Sequence, residues 1–96
     1  MNYYILKYKL ADNYLQDRGQ YRAEHLGMAK EVSENGKLVL GGAMDEPADE
    51  AILIFRSEDE KVATVFAEND PYVKNGLIKE WTVRKWNAVI GSKIEN

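Results

Sequence analysis

Tyr4, Leu6, Tyr8 and Leu10 alternate with Tyr3, Ile5, Lys7 and Lys9 near the start of the chain. A period of two over that length predicts a β-strand, because successive side chains of an extended chain point to opposite faces. Ala11 to Asp17 is polar and reads as a loop. From Arg18 to Asn35 the period lengthens. Tyr21, His25, Met28 and Val32 recur at helical spacing, and Arg22, Leu26, Ala29 and Ser33 form the neighbouring stripe. Together they predict an amphipathic helix with a wide inner face. Asp17 is placed to cap its start. Asn35-Gly36 is placed to stop it, since glycine takes the left-handed conformation without steric cost.

A second strand is expected over Lys37–Ala43, followed by an acidic turn, Met44–Glu50, that contains Pro47. Ala51–Phe55 is a third strand, apolar on both sides and so expected to be buried on both. Ser57-Glu58-Asp59-Glu60 has the spacing of a capping box. It would open a short helix whose apolar positions are Val62, Val65 and Phe66. Asp70 to Gly76 reads as one more helical turn, with Asp70 as cap, Pro71 at the first helical position and Gly76 at the end. Leu77, Trp81 and Val83 alternate with polar residues in a fourth strand, and the tail from Gly91 onward is expected to fray.

The resulting order, β-α-β-β-α-β, predicts an α+β, ferredoxin-like fold. Right-handed crossovers then put both helices on one face of a four-stranded antiparallel sheet. The opposite face has no cover within the chain. The third strand is nevertheless apolar on both sides, and Tyr and Trp recur in the others. An uncovered apolar face of that extent marks an association surface, and a twofold homodimer is the expected solution.

Composition narrows the function classes. Ninety-six residues make one domain, 1–96. With 45% hydrophobic and 30% charged residues, the chain is rich enough in apolar side chains to fold. A net charge of −3 repels a phosphate backbone, so nucleic acid is not expected as a partner. The absence of Cys excludes disulfides, thiolate metal sites and a thiol nucleophile. The apolar stretch Tyr3–Leu10 is interrupted by Lys7 and Lys9 and lacks a signal-peptide pattern. No run approaches the roughly 20 apolar residues of a membrane span. No membrane partner is expected, and the expected location is cytoplasmic.

His25 is the single histidine, the residue type suited to moving protons near neutral pH. It lies three residues after Arg22 on one helix face. Read alone, it is more readily a half-buried helix histidine without a task. Asp70 before Pro71 is explained as a cap, or more sharply as a carboxylate that orients and charges the imidazole. Spacing does not say whether the two meet. Gly41-Gly42 would let a ligand approach the backbone, or would mark a bulge or bend. Asp45, Glu46, Asp49 and Glu50 lack the calcium-loop pattern and read as a solvated turn, so no metal is expected. No dinucleotide fingerprint is present, and no cofactor is expected. Trp81 and Trp86 read as core or interface rather than as a stacking platform for bases.

Four blocks of the chain also resemble the YciI-like (YCII-related) family in order and separation. They are Arg22-Ala-Glu-His25, Gly36-Lys-Leu-Val-Leu-Gly-Gly-Ala43, Asp70-Pro-Tyr-Val-Lys-Asn-Gly-Leu77 and Val83-Arg-Lys-Trp-Asn87. The resemblance spans Tyr3 to Val89. It implies a ferredoxin-like fold dimerised as in the dimeric α+β barrel superfamily, and a site built on His25 and Asp70. Arg22, Gly41, Gly42 and Tyr72 are the candidate ligand-binding residues around that pair. Two departures from the family pattern touch the surroundings of the site: Ala43 stands where the family often has Pro, and Asp49-Glu50-Ala51 opens the third strand where a Gly is common. The function these residues suggest is proton transfer or elimination on a small organic molecule, of lyase or isomerase type. The competing reading is a non-catalytic metabolite-binding or protein-interaction module.

Overall fold

A computed structural model of the protein describes residues 1–92. Four strands, β1 (Asn2–Leu10), β2 (Leu38–Ala43), β3 (Glu50–Ser57) and β4 (Ile78–Trp86), are joined by helices α1 (Tyr14–Asp17) and α2 (Arg22–Glu34) between β1 and β2, and α3 (Lys61–Asn69) and α4 (Pro71–Lys74) between β3 and β4. They form one sheet in the order β2-β3-β1-β4. Every neighbouring pair is antiparallel. β1 and β2 therefore run parallel with β3 between them, and β3 and β4 with β1 between them. This is the interleaved pair of β-α-β units that the element order predicts.

The alternation in β1 sets the layers. Tyr4, Leu6, Tyr8 and Leu10 are buried, as are their cross-strand neighbours Ala51, Leu53 and Phe55 on β3. Ala63, Phe66 and Ala67 of α3 close over the same core. Side chains paired across strands share a face, so the opposite face carries Tyr3, Ile5, Ile52, Ile54, Leu40 and Trp86, interspersed with Lys7, Arg56 and Arg84. Ile52 and Ile54 stay partly exposed, so β3 is fully buried on one face only within the chain. Trp81 pairs with Tyr8 and so belongs to the covered face. No helix among the described residues is long and apolar enough to cross a membrane.

The punctuation of the chain follows local chemistry, with several corrections. Gly36 has φ +76°, and the turn closes with Lys37 N–H donating to the Val32 carbonyl and Gly36 N–H to that of Ser33. That pairing is a Schellman motif. Ala11–Asp17 is not all loop: Tyr14–Asp17 is helical, and Arg18–Gln20 continues as a 3₁₀ turn. α2 accordingly starts at Arg22, and Asp17 caps nothing; it accepts a hydrogen bond from the Asn13 side chain instead. The inner stripe of α2 is narrower than predicted, with Tyr21, His25, Met28, Ala29 and Val32 half-buried and Leu26 exposed.

Ser57 is not a helix cap because it still pairs with Asn2 in the sheet. Asp59 takes that part, its side chain accepting from Lys61 N–H at 2.9 Å. Val65 faces outward, and Ala63, Phe66 and Ala67 form the inner face of α3. The bulge in β2 falls between Leu38 and Leu40, ahead of the glycine pair. Of the tail expected to fray, residues 93–96 lie outside the described residues.

Candidate active site

Pro71 disfavours helical geometry at the residue before it. Asp70 is extended, with φ −68° and ψ 124°, and separates α3 from α4. Its Oδ1 accepts the Tyr72 N–H at 2.9 Å, which caps α4. The same carboxylate is fully buried and receives two further groups. The Tyr8 hydroxyl, from the centre of β1, donates to Oδ2 at 2.7 Å. The His25 Nδ1, from the first turn of α2, stands 2.9 Å from Oδ1 and 3.0 Å from Oδ2.

A carboxylate offers only acceptors. With Tyr8 O–H and Tyr72 N–H both donating to it, the His25 Nδ1 contact is assigned as N–H donating to Asp70. Nε2 then holds the free lone pair, and it has no hydrogen-bond partner among the described residues. The ring is fixed on two more sides. It stacks on Tyr72 with centroids 4.1 Å apart and planes 13° apart, and it meets Phe66 edge-on at 6.1 Å. Burial, with the Asp70 charge and hydrogen bond adding to it, raises Tyr8 far above the ordinary phenol range, so Tyr8 remains a donor.

His25 lines a cavity of about 240 Å³ between α2 and the β2–β3 end of the sheet. Arg22, Gly41, Gly42 and Tyr72 line it too, whereas Asp70 supports the imidazole from behind. The structure thus brings all six residues singled out in the sequence to one place. The two glycines differ in kind. Gly41 pairs with Leu53 on the covered face, and a Cβ there would stand 3.2 Å from the Leu53 Cγ. Gly42 pairs with Ile52, so its Cβ direction leads to the open face, and only its backbone borders the cavity.

Three lining residues with polar or charged side chains escape the sequence reading. Tyr8 looks like an ordinary core position of β1; the available signal is that a buried tyrosine needs a partner for its hydroxyl. Tyr14 and Arg18 sit in the segment read as loop and helix start. Arg18 Cζ lies 5.5 Å from the Tyr14 ring centroid, and Tyr14 meets Tyr72 edge-on at 5.6 Å.

A family model described as the YCII-related domain matches residues 1–87. The chain belongs to the YCII-related family. Among solved structures it is similar to a 5-chloro-2-hydroxyhydroquinone dehydrochlorinase, TftG, from Burkholderia phenoliruptrix in complex with 2,5-dihydroxybenzoquinone. That match has a TM-score of 0.73 and 26% identity, covering 88% of this chain and 92% of the other. Protein Atu4242 from Agrobacterium tumefaciens shares the fold, with a TM-score of 0.63 at 16% identity over 99% of this chain and 100% of the other. No curated protein matches the chain.

The contrast between the glycines of this YCII-related protein is open to test. Gly41→Val is expected to crowd Leu53 and the cavity, costing about 1–2 kcal/mol of stability and at least ~10-fold in binding of a small aromatic probe. Gly42→Ala, whose Cβ meets nothing within 4 Å, is expected to leave both unchanged. Thermal melting and calorimetric titration of the two variants make the check.

Proposed function

We propose that this YCII-related protein is an enzyme that moves a proton on, or eliminates a small group from, a small cyclic organic molecule. The observation that carries the reading is the His25 Nδ1–Asp70 contact at 2.9 Å beside a cavity that His25 itself lines. Asp70 holds the tautomer and stabilises the imidazolium, and Nε2 acts as the general base. In an elimination, Nε2 takes a proton from the substrate, the electron pair it leaves forms the new π-bond, and the leaving group departs as an anion. The imidazolium then returns its proton to solvent. The likeness to a dehydrochlorinase at 26% identity favours halogenated, hydroxylated rings as first substrates.

The test is turnover on a panel of halogenated phenols, hydroxyquinones and lactones, read by halide release and by absorbance. Turnover of a halogenated ring that disappears in His25→Gln is the expected result. Ligand-dependent melting shifts with no turnover across the panel would instead favour a metabolite-binding module.

The reading includes a homodimer formed through the open sheet face. That face presents Ile5, Ile52 and Ile54 at its centre with Leu40 and Trp86 exposed beside them. Light scattering at low micromolar concentration is expected to give twice the chain mass, and Ile5→Lys, at the middle of the face, to give a folded monomer. A wild-type monomer under those conditions would overturn this part.

A further inference from the structure

We infer that the cavity is built for an anion: a single planar ring carrying an ionised oxygen, seated between the guanidinium groups of Arg18 and Arg22 and completed by the Tyr72 hydroxyl. The inference deepens the reading above and rests on it for the location of the reacting group, but not for the charge of the ligand.

Size limits the ligand first. A cavity of ~150 Å³ accommodates benzene, and drug-sized ligands need roughly 300 Å³ or more. At about 240 Å³ the present cavity suits one substituted six-membered ring. Its walls favour a flat ring, since Tyr8, Tyr14, His25 and Tyr72 all contribute aromatic surface.

Charge comes next. Arg18 and Arg22 both line the cavity, and neither has a carboxylate within 4.0 Å among the described residues. Asp70, the buried carboxylate of the site, already accepts from Tyr8, His25 and Tyr72 and lies behind the imidazole. The two arginines that line this small, largely apolar cavity therefore meet no opposing carboxylate. Paired N–H donors in a fixed fork favour a planar oxyanion over a neutral oxygen.

Tyr72 supplies the third and independent observation. The residue is 2% exposed, lines the cavity, and its hydroxyl is buried with no hydrogen-bond partner among the described residues. Leaving a buried hydroxyl unpaired is costly, so such a group calls for an acceptor. Burial raises Tyr72 above the ordinary phenol range, and the Arg22 and Arg18 charges act on it in the opposite direction. The hydroxyl is thus a neutral donor at physiological pH. All three donor-bearing residues line the one cavity, so the ligand's anionic oxygen is placed among them and His25 Nε2 is left to act on a different position of the ring.

The experiment compares two probes by calorimetry near neutral pH. 2,5-Dihydroxybenzoquinone is a vinylogous acid and is ionised there; 2,5-dimethoxybenzoquinone has the same ring and no ionisable proton. Wild-type protein is expected to bind the anion at least ~10-fold more tightly than the ether. That preference should shrink in ~0.5 M salt. The double variant Arg18→Gln/Arg22→Gln is expected to lose the preference, and Arg18→Lys/Arg22→Lys, which keeps the charge and guards against a folding artefact, to retain part of it. Tyr72→Phe is expected to weaken the anion about 3- to 10-fold and the ether little.

Equal binding of the two probes, a preference that survives the Gln double variant, or no measurable binding of the anion overturns the inference. Anion-selective binding without turnover on any substrate would sink the catalytic reading and leave the anion site standing. Turnover without anion selectivity would do the reverse.

Discussion

Asp70→Ala is expected to destabilise the protein by about 3–5 kcal/mol, a large part of the 5–15 kcal/mol that holds a domain together. The reason is the number of donors that share one carboxylate. Removing it strands the Tyr8 hydroxyl, the Tyr72 N–H and the His25 Nδ1–H together. Each buried donor left unpaired costs about 1–3 kcal/mol, and the stranded Tyr72 N–H is itself the lost cap of α4. These costs overlap, because the freed groups relax together. Asp70→Asn retains one oxygen and the volume, and Tyr8 can rotate its hydroxyl to accept. It is expected to cost less than half as much. Urea unfolding with an unchanged slope measures both. An Asp70→Ala protein within 1 kcal/mol of wild type would mean that the three donors find other partners.

His25→Gln is expected to act in the opposite sense, with a large loss of turnover and a small loss of stability. General acid–base catalysis contributes typically 10²- to 10⁴-fold, and glutamine cannot exchange a proton at neutral pH. Its amide can still donate to Asp70, so the carboxylate keeps its third partner. What is lost is the stacking on Tyr72, a contact of roughly 0.5–1.5 kcal/mol. Residual turnover above ~10% of wild type on a substrate of the panel would remove His25 from the chemistry. The two substitutions together separate the scaffold from the reacting group, although the two side chains share a hydrogen bond.

The parts of the fold that rest on period or on backbone-specific residues were legible. β1 shows its faces through strict alternation, and Asn35-Gly36 and Asp70-Pro71…Gly76 mark their turns through conformations that few other residues adopt. Tyr14–Asp17 was not legible because a single helical turn has no periodicity to read, and one buried residue, Tyr14, decides it. The capping box at Ser57 failed because sheet pairing with Asn2 outcompetes a local cap. The pairing of His25 with Asp70 came from residue type and family resemblance, with neither giving a distance. Tyr8 and Arg18 stayed hidden for a different reason. Their roles arise from which strands and turns become neighbours, and nothing adjacent to them in the chain records that.

The site joins two parts of the molecule that are held with very different firmness. Asp70 is fixed in the core, while α2, which carries His25 and Arg22, contains no fully buried residue. A helix held by half-buried contacts lies at the low end of the local-opening scale, whereas the central strands open only with the whole domain. The His25–Asp70 hydrogen bond therefore works as a latch between a loose element and a rigid one. Amide exchange should run faster along α2 than along β1 and β3, and a ligand bridging Arg22 to the sheet should slow it selectively.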